Sequence, residues 1–591
     1  MDAFVQPLYE LADFDAIIRQ LKKPGIVQVS GCLDSQKAHF TNGLLREFPF
    51  RLIVAENDLK AKAFYEDFRL YDPEVLYYPA RDLIFYQADI HGNLLTRQRI
   101  QVLRALLERE EVTIVTSIDS CLDCLVPLAV WKEKVIKIRN DSEIDLDRMK
   151  RHLLELGYEW AAQVEVPGQF SIRGGIMDVF SLTEDNPWRI ELWGDEVDSI
   201  RSFDAESQRS IENLEEITIY PATEVVLDKE TIRQGIKAIE KEAQKSQKKF
   251  RDEMKTEEGA RVRQIAAELK DQLEEMEHIA GAESFVRYFY KKTESLLEYL
   301  PENTLVVIDE PNRLTEHAKT TEEEFRESMI HRLEKGYLLP GQMEVIRNHQ
   351  EVVHRFHQMH TLSLSTMEPR GTGWNFAMEM QLTVKSVNPY NNSFEMLVKD
   401  LLRWKKSGYR MLLLSPSRTR AARLAKDLQD QELSAFYSED PEELIQPGQI
   451  KVTWGRVSRG FEYPMVKYVV ISETDIFGKE KKKKRKKSQY SGKQIQSFSE
   501  LSVGDFVVHE NHGLGVYRGI EKMEVDGVVK DYIKIEYAGK SNLYILATQL
   551  DVLQKYAGSD AAKTPKLNKL GGPAWKKPKK KVRGTGKTIG K

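Results

Sequence analysis

Cysteine is nearly absent from this chain of 591 residues: Cys32, Cys121 and Cys124 are the whole set. So few thiols in so long a chain exclude a disulfide scaffold and point to a reducing, cytosolic compartment. Cys121 and Cys124 form a single C-x-x-C, but no second pair and no neighbouring histidine completes a zinc set, so no metal site is expected. The segment after VTIVTS is expected to turn helical and to place both thiols on one buried face. Long apolar runs are missing too. Nothing approaches the roughly 20 residues of a membrane helix, and the N-terminus has no signal-peptide pattern. A cytoplasmic protein without a membrane partner is expected. Acidic residues are missing from the last stretch of the sequence: residues 561–591 hold eleven Lys and Arg and no Asp or Glu. With the chain at −4 and this tail at +11, residues 1–560 carry −15. By net charge the body is a poor general DNA binder, and the tail is the opposite.

What is present begins with alternating strand and helix patterns. Ile26 to Ser30, Arg51 to Ala55 and Val112 to Ser117 read as buried strands with helical periodicity between them, a parallel α/β sheet by pattern. The first strand runs into GCLDSQKAH, where a phosphate-binding loop would sit. Such a loop needs Gly, four residues, Gly, Lys, then Ser or Thr, because backbone amides cradle the phosphates and the hydroxyl holds Mg²⁺. Gly31 and Lys37 are in register, but Gln36 replaces the second glycine and Ala38 replaces the hydroxyl. A side chain crowds the loop and the magnesium ligand is gone, so no ATP hydrolysis is expected. Between Val166 and Arg209 the chain alternates apolar and polar residues around an Arg-Gly-Gly punctuation. Trp188, Ile190 and Leu192 share one face, and Arg189, Glu191 and Trp193 the other. If the first face is core, the second shows solvent a tryptophan beside an arginine, the composition of a protein-binding hot spot.

Asp228 to Tyr290 is rich in Lys, Glu and Gln with apolar residues at helical spacing, which reads as long amphipathic helices solvated on one side. Residues near 366–380 read as a connector. A small α/β unit follows, with a strand at Gln381–Ser386, a helix at Ser393–Ser407, MLLLS as a strand, a helix at Ser417–Leu433 and a last strand at Tyr468–Ile471. Lys479 to Lys487 is almost wholly basic and is expected to be an extended, disordered linker. From Leu501 the texture changes to short strands between Gly-rich turns, the pattern of a small all-β barrel. That module shows no nucleophile–base pair, and His509 and His512 sit beside turns.

These motifs resemble known families. VPGQFSIRGGIMDVF with WRIELWGDEVDSIRSFD resembles the second domain of the excision-repair protein UvrB. The SQRS that follows resembles the version in the transcription-repair coupling factor family, called Mfd. The resemblance implies recruitment of UvrA through an arginine of the R-G motif plus an arginine and an aromatic on the next strand. The matching positions are Arg173, Arg189 and Trp193, the last more often phenylalanine in relatives. LVVIDE, Leu305 to Glu310, resembles the strand that carries the metal-orienting Asp and the catalytic Glu in UvrB and helicases. That implies that Asp309 and Glu310 share a domain with Gly31 and Lys37, as a relic rather than a catalytic pair. VGDFVVHENHGLGVYRGI resembles the Tudor-like domain shared by CarD regulators and the coupling factor. There a strand edge pairs with the lobe of the RNA polymerase β subunit, and the contact positions here are Ile520, Glu521 and Met523. One departure is Leu546, where the family has proline.

The resemblance implies a multidomain α/β protein, with a degenerate P-loop NTPase-like and UvrB-like body and a small Tudor/CarD-like barrel. Its expected divisions are 1–135 and 226–365 for the interrupted NTPase-like domain, 136–225 for the UvrA-binding domain and 366–477 for a third domain. The basic linker follows at 478–498, the polymerase-interacting domain at 499–557 and the tail at 558–591. Similarity runs to Trp575, after which the family continues into a helix and an ATP-driven DNA translocase. Here KKPKKKVRGTGKTIGK follows. Its Gly584–Thr588 run fails as a phosphate loop, because Lys581 stands where the first glycine must be and no strand precedes it. The expectation is a motor-less adaptor with no catalytic residues, no ATPase activity and no cofactor of its own. ATP and Mg²⁺ belong to the family's motor; DNA contact would come mainly through that motor and weakly through the tail. The alternatives are a UvrB-like damaged-DNA-binding helicase and a CarD-like transcription regulator.

Overall fold

In the computed structural model, described residues are 3–81, 93–274, 282–369, 373–478, 503–509, 513–525, 528–538, 542–546 and 553–555. The basic linker from 479, the tail from 556, His512 and the side chains of Ile520, Glu521, Met523 and Leu546 lie outside them.

Seven strands form the central sheet, in the order Phe376–Gln381, Gly25–Ser30, His360–Ser365, Leu305–Asp309, Phe50–Ala55, Val112–Ser117 and Leu76–Tyr78. Every pairing in it is parallel. A parallel sheet is covered on both faces, which is why its strands read as continuous apolar runs. Leu52 and Val54 enter one core, while Ile53 and Ala55 enter the other. The edge strand Phe376–Gln381 corrects the connector expected near 366–380. Its alternation, with every second side chain exposed, belongs to a half-covered edge and not to a buried run.

A second domain is inserted after Val112–Ser117. The chain enters on Ile136–Arg139 and leaves on Glu216–Ile219, and these two strands pair antiparallel as a neck. Between them lies a six-stranded sheet, ordered Ser210–Leu214, Glu196–Phe203, Trp188–Trp193, Ile176–Val179, Gln169–Arg173 and Glu159–Trp160. Two long helices follow, Lys229–Asp252 and Thr256–Glu274. Asp228 caps the first through Thr231 N at 2.9 Å while its other oxygen accepts from Lys134; a cap of this kind is worth about 1 kcal/mol.

The third domain is another six-stranded sheet, parallel at its centre around Arg410–Ser415. One face of this sheet packs on its own helices, with Leu397, Leu401, Leu413, Leu424 and Val469 in a core of its own; the other face joins the first domain. Leu412, Leu414, Tyr463, Tyr468 and Val470 pack in one cluster with Val27, Phe40 and Ile53. The last module is a five-stranded antiparallel sheet ordered Asn542–Leu546, Val528–Glu536, Gly513–Val525, Phe506–His509 and Leu553–Lys555. Among the described residues its outermost strands do not pair, so the closure expected of a barrel is not found among them. Alternation specifies antiparallel strands, but closure depends on first and last strands meeting.

The C-x-x-C expectation also changes. The helix at this point is only Ile118–Leu122, and Cys124 lies beyond it in extended chain bonded to Val345. Cys121 is fully buried and Cys124 only partly, and burial raises both thiol pKa values. No group of His, Cys, Asp and Glu suited to a metal occurs among the described residues, nor any helix long and apolar enough to cross a membrane.

Candidate partner-binding surfaces

The side chains suited to gripping a phosphate are already engaged inside the protein. Gly25–Ser30 ends at Gly31, whose φ of +82° favours glycine, and a Cβ there would lie 2.2 Å from the carbonyl oxygen of Leu382. The chain leaving the edge strand therefore rests directly on the turn, held by Leu382 N donating to Ser30 O at 2.8 Å. The connection is short: the helix Asp34–Asn42 begins three residues on, so Gln36 stands in its first turn and not in an open loop. Gln36 Oε1 accepts from Leu33 N at 3.1 Å, and its Nε2 donates to Tyr463 Oη of the third domain at 2.8 Å. Ser35 Oγ donates to Arg459 O at 2.6 Å. Ala38 is buried and offers no hydroxyl.

Lys37 is fully buried, and its Nζ lies 2.5 Å from Asp309 Oδ1 and 2.7 Å from Glu310 Oε1. Glu310 Oε1 also accepts from Thr366 N and Oγ1, at 2.8 and 2.7 Å. Burial works against charge on Lys37, but the two carboxylates outweigh it and raise its pKa. Burial raises Asp309, the more enclosed acid; for Glu310 burial is outweighed by Lys37 and Thr366, and its pKa falls. The structure thus joins Lys37, Asp309 and Glu310 into one ion cluster, with Gly31 and Gln36 around it serving packing contacts.

The second domain is arranged differently. Met177, Ile190 and Val197 point into the core. The opposite face carries Asp178, whose carboxylate is buried and yet receives two arginines. Arg189 Nε and Nη2 donate to its two oxygens at 2.7 and 2.8 Å, and Arg173 Nη2 reaches Oδ2 at 3.1 Å. Arg189 also donates to Gln208 Oε1 at 3.0 Å and lies 4.4 Å above the Phe203 ring. Those bonds to Asp178 raise the Arg189 pKa. Its place in the strand holds it flat. Arg173, in contrast, ends its strand with half its side chain exposed (51%). Beside it a Gly174–Gly175 turn brings Gly175 O to Leu192 N at 2.8 Å. A Cβ on Gly175 would stand 2.9 Å from Leu192 O. The next residue, Trp193, is 84% exposed. Ile176, opposite Glu191 in register, is partly exposed between them. Asp178 was not singled out from sequence, although it sits in GGIMDVF on the same face as Arg189, directly opposite it.

In the last module Gly513–Val525 pairs with Val528–Glu536 from Val516 to Val525. On its other side it meets Phe506–His509 only as far as Val516, and Tyr517 bonds Gly504 and Asp505. From Arg518 to Val525 that second edge has no strand partner among the described residues. Ile520, Glu521 and Met523 fall on this stretch, opposite Ile533, Tyr532 and Lys530.

Residues 136–225 match the family model of the UvrB interaction domain. Residues 501–557 match that of the CarD-like/TRCF RID domain. The chain as a whole is similar to the transcription-repair-coupling factor of Bacillus subtilis (strain 168), 34% identical over 590 residues, which cover 98% of this chain and 49% of that protein. It is 31% identical over 579 residues to the Staphylococcus haemolyticus (strain JCSC1435) protein of the same name, covering 94% of this chain and 47% of the relative. A third relative of that name, from Staphylococcus aureus (strain USA300), is 30% identical over 544 residues, 90% of this chain and 45% of its own length. The chain spans about half the length of the curated relatives it matches.

Proposed function

We propose that this chain acts in transcription-coupled nucleotide excision repair as an adaptor, holding RNA polymerase at one end and UvrA at the other. The observation that carries the reading is the joint one: a UvrB interaction domain and a CarD-like/TRCF RID domain lie in a single chain similar along 98% of its length to a coupling factor. UvrA would bind the face around Arg173, Arg189 and Trp193. The pair Arg189–Asp178 fixes the floor of that face, and Arg173 and Trp193 supply exposed contact, the arginine and aromatic types that dominate binding energy.

The polymerase β subunit would add a strand along Arg518–Val525. Unpaired backbone there supplies affinity, and alternate side chains, Met523 among them, supply selectivity. The phosphate-loop residues have a structural part in this reading. Lys37, which would reach a nucleotide's phosphates, is neutralised by Asp309 and Glu310, so the first domain neither binds nor hydrolyses ATP. The adaptor reading is tested by binding of the purified chain to the β lobe, comparing wild type with Met523→Arg. The expected result is binding lost in the variant, with UvrA binding unchanged; equal binding by both would overturn the edge-strand assignment.

A further inference from the structure

The helix Lys229–Asp252 has one face in the core and one in water, and the two differ sharply in composition. Ile232, Gly235, Ile239, Ala243 and Phe250 are buried. At 3.6 residues per turn, the side facing away from them over residues 233–248 holds Arg233, Lys237, Lys241, Lys245 and Lys248, with Gln234 and Gln244 between them. All seven are exposed. The two acids of residues 233–248, Glu240 and Glu242, are only partly exposed and flank that side. The helix does contain acids, but each has a partner elsewhere or lies at an end. Glu230 accepts from Arg233 at 2.9 Å, Glu240 pairs with Lys270 at 2.9 Å, and Glu242 is taken by Tyr288 Oη and Gly341 N. Lys237, Lys241, Lys245 and Lys248 make no ion pair with any described residue.

At 1.5 Å per residue the row is about 22 Å long, with about 6 Å between lysines four apart. A rigid row of uncompensated ammonium groups is complementary to a polyanion of regular spacing. One strand of duplex DNA presents a phosphate about every 3.4 Å of axis, so each lysine step matches roughly two phosphates. Gln244 adds a neutral donor of the kind that also binds phosphate oxygens, whereas Gln234 Nε2 donates to Glu230 Oε1 at 2.8 Å. The same surface has no aromatic side chain between 233 and 248 on which an unpaired base could stack, which is how single strands are gripped. Nor does the −15 of residues 1–560 oppose the assignment. Screening limits each charge to about 10 Å at 0.1 M salt, so the local row governs contact, and the net charge does not.

We propose that the outer side of the Lys229–Asp252 helix is a docking ridge for the phosphate backbone of duplex DNA, independent of sequence. It places a DNA contact in the body of the chain, separate from the surfaces assigned to protein partners, and does not depend on that assignment.

The test uses the full chain and a labelled 30-base-pair duplex of arbitrary sequence, followed by fluorescence anisotropy from 50 to 200 mM salt. The parent protein carries glutamine at the basic residues of 479–493 and 563–591, so that linker and tail do not contribute. The variant adds Lys237→Gln, Lys241→Gln, Lys245→Gln and Lys248→Gln; glutamine matches lysine closely in helix propensity, and an unchanged thermal melt verifies the fold. The parent should bind with a steep salt dependence. Removing four phosphate contacts should flatten the slope of log K against log salt by about 3.6, and weaken binding at least about tenfold at 100 mM. Arginine at the same four positions should restore both. No binding by the parent, or equal slopes for parent and variant, would overturn the ridge. Tighter binding of a single-stranded oligomer, or competition by polyglutamate at equal charge, would overturn the duplex assignment.

Discussion

Both the first and second domains of this protein set basic side chains against buried carboxylates, with opposite consequences. In the first, Lys37 is enclosed and both of its carboxylate partners come from the chain end of Leu305–Asp309 and the residue after it. Neighbouring chain, Leu382 and Tyr463, closes the surroundings. In the second, Asp178 is equally buried but its two arginines are graded. Arg189 is held by both carboxylate oxygens, while Arg173 gives one bond and leaves half its side chain in water. A cluster that satisfies itself completely is a fastening; one with an arm left over is a surface. Cations meet carboxylates in both places, so the sign of the charges alone does not separate a relic from a binding site.

The comparison is broken most directly at Lys37. Lys37→Met keeps the volume and leaves the buried Asp309 and the half-buried Glu310 without a cation, which should cost about 3–5 kcal/mol. Hydrogen exchange in Gly25–Ser30 and Leu305–Asp309 should accelerate accordingly, with exchange in the second domain unchanged. Stability unaffected by the change would mean that the cluster is not a fastening.

A somewhat smaller effect is expected at the joint between the first and third domains. Asp67 accepts from Ser458 N and Oγ, both at 2.7 Å, and burial pushes its pKa from 3.8 up to about 6. The folded state therefore holds a proton that the unfolded chain releases. Its contribution is fully present below pH 3.8 and is lost as pH rises through about 6. Asp67→Asn removes this dependence. The variant should gain relative to wild type between about pH 4 and 7, by at most about 3 kcal/mol. Urea midpoints of the two proteins across that window measure it, and a constant difference would contradict the account.

On the surface side, Trp193→Ala should weaken UvrA binding by about 2 kcal/mol, roughly 30-fold. It should leave the thermal melt unchanged, because the ring is exposed. Titration calorimetry with UvrA reads the first and differential scanning calorimetry the second. A large loss of stability would make Trp193 a packing residue and erase the contrast with Lys37.

The contrast is partly written in the sequence. Apolar runs such as LVVID and VTIVTS announce buried parallel strands because both of their faces are covered. FAMEMQ does not, because an edge strand shows half its side chains to solvent and so reads as a linker. Arg189 and Trp193 share a face by alternation, and Trp193 is exposed as that alternation requires; Arg173 is implied by the family resemblance and not by the pattern. The anchoring of Arg189 by Asp178 follows only from register between strands, which a single sequence leaves open. Likewise LVVIDE could be placed in the domain of Lys37, but not the direct bond from Nζ to both acids. Closure of the last module is not found among the described residues, and turns and alternation fix neighbours and not the meeting of the outermost strands.

The central claim is that one chain joins the polymerase to UvrA through two separate surfaces. Light scattering on a mixture of this chain, RNA polymerase and UvrA measures it most directly, with Arg173→Ala run in parallel. A three-component particle is predicted for wild type, and a particle of polymerase and chain alone for Arg173→Ala. Absence of the three-component particle with wild type, or UvrA retained by the variant, would contradict the account.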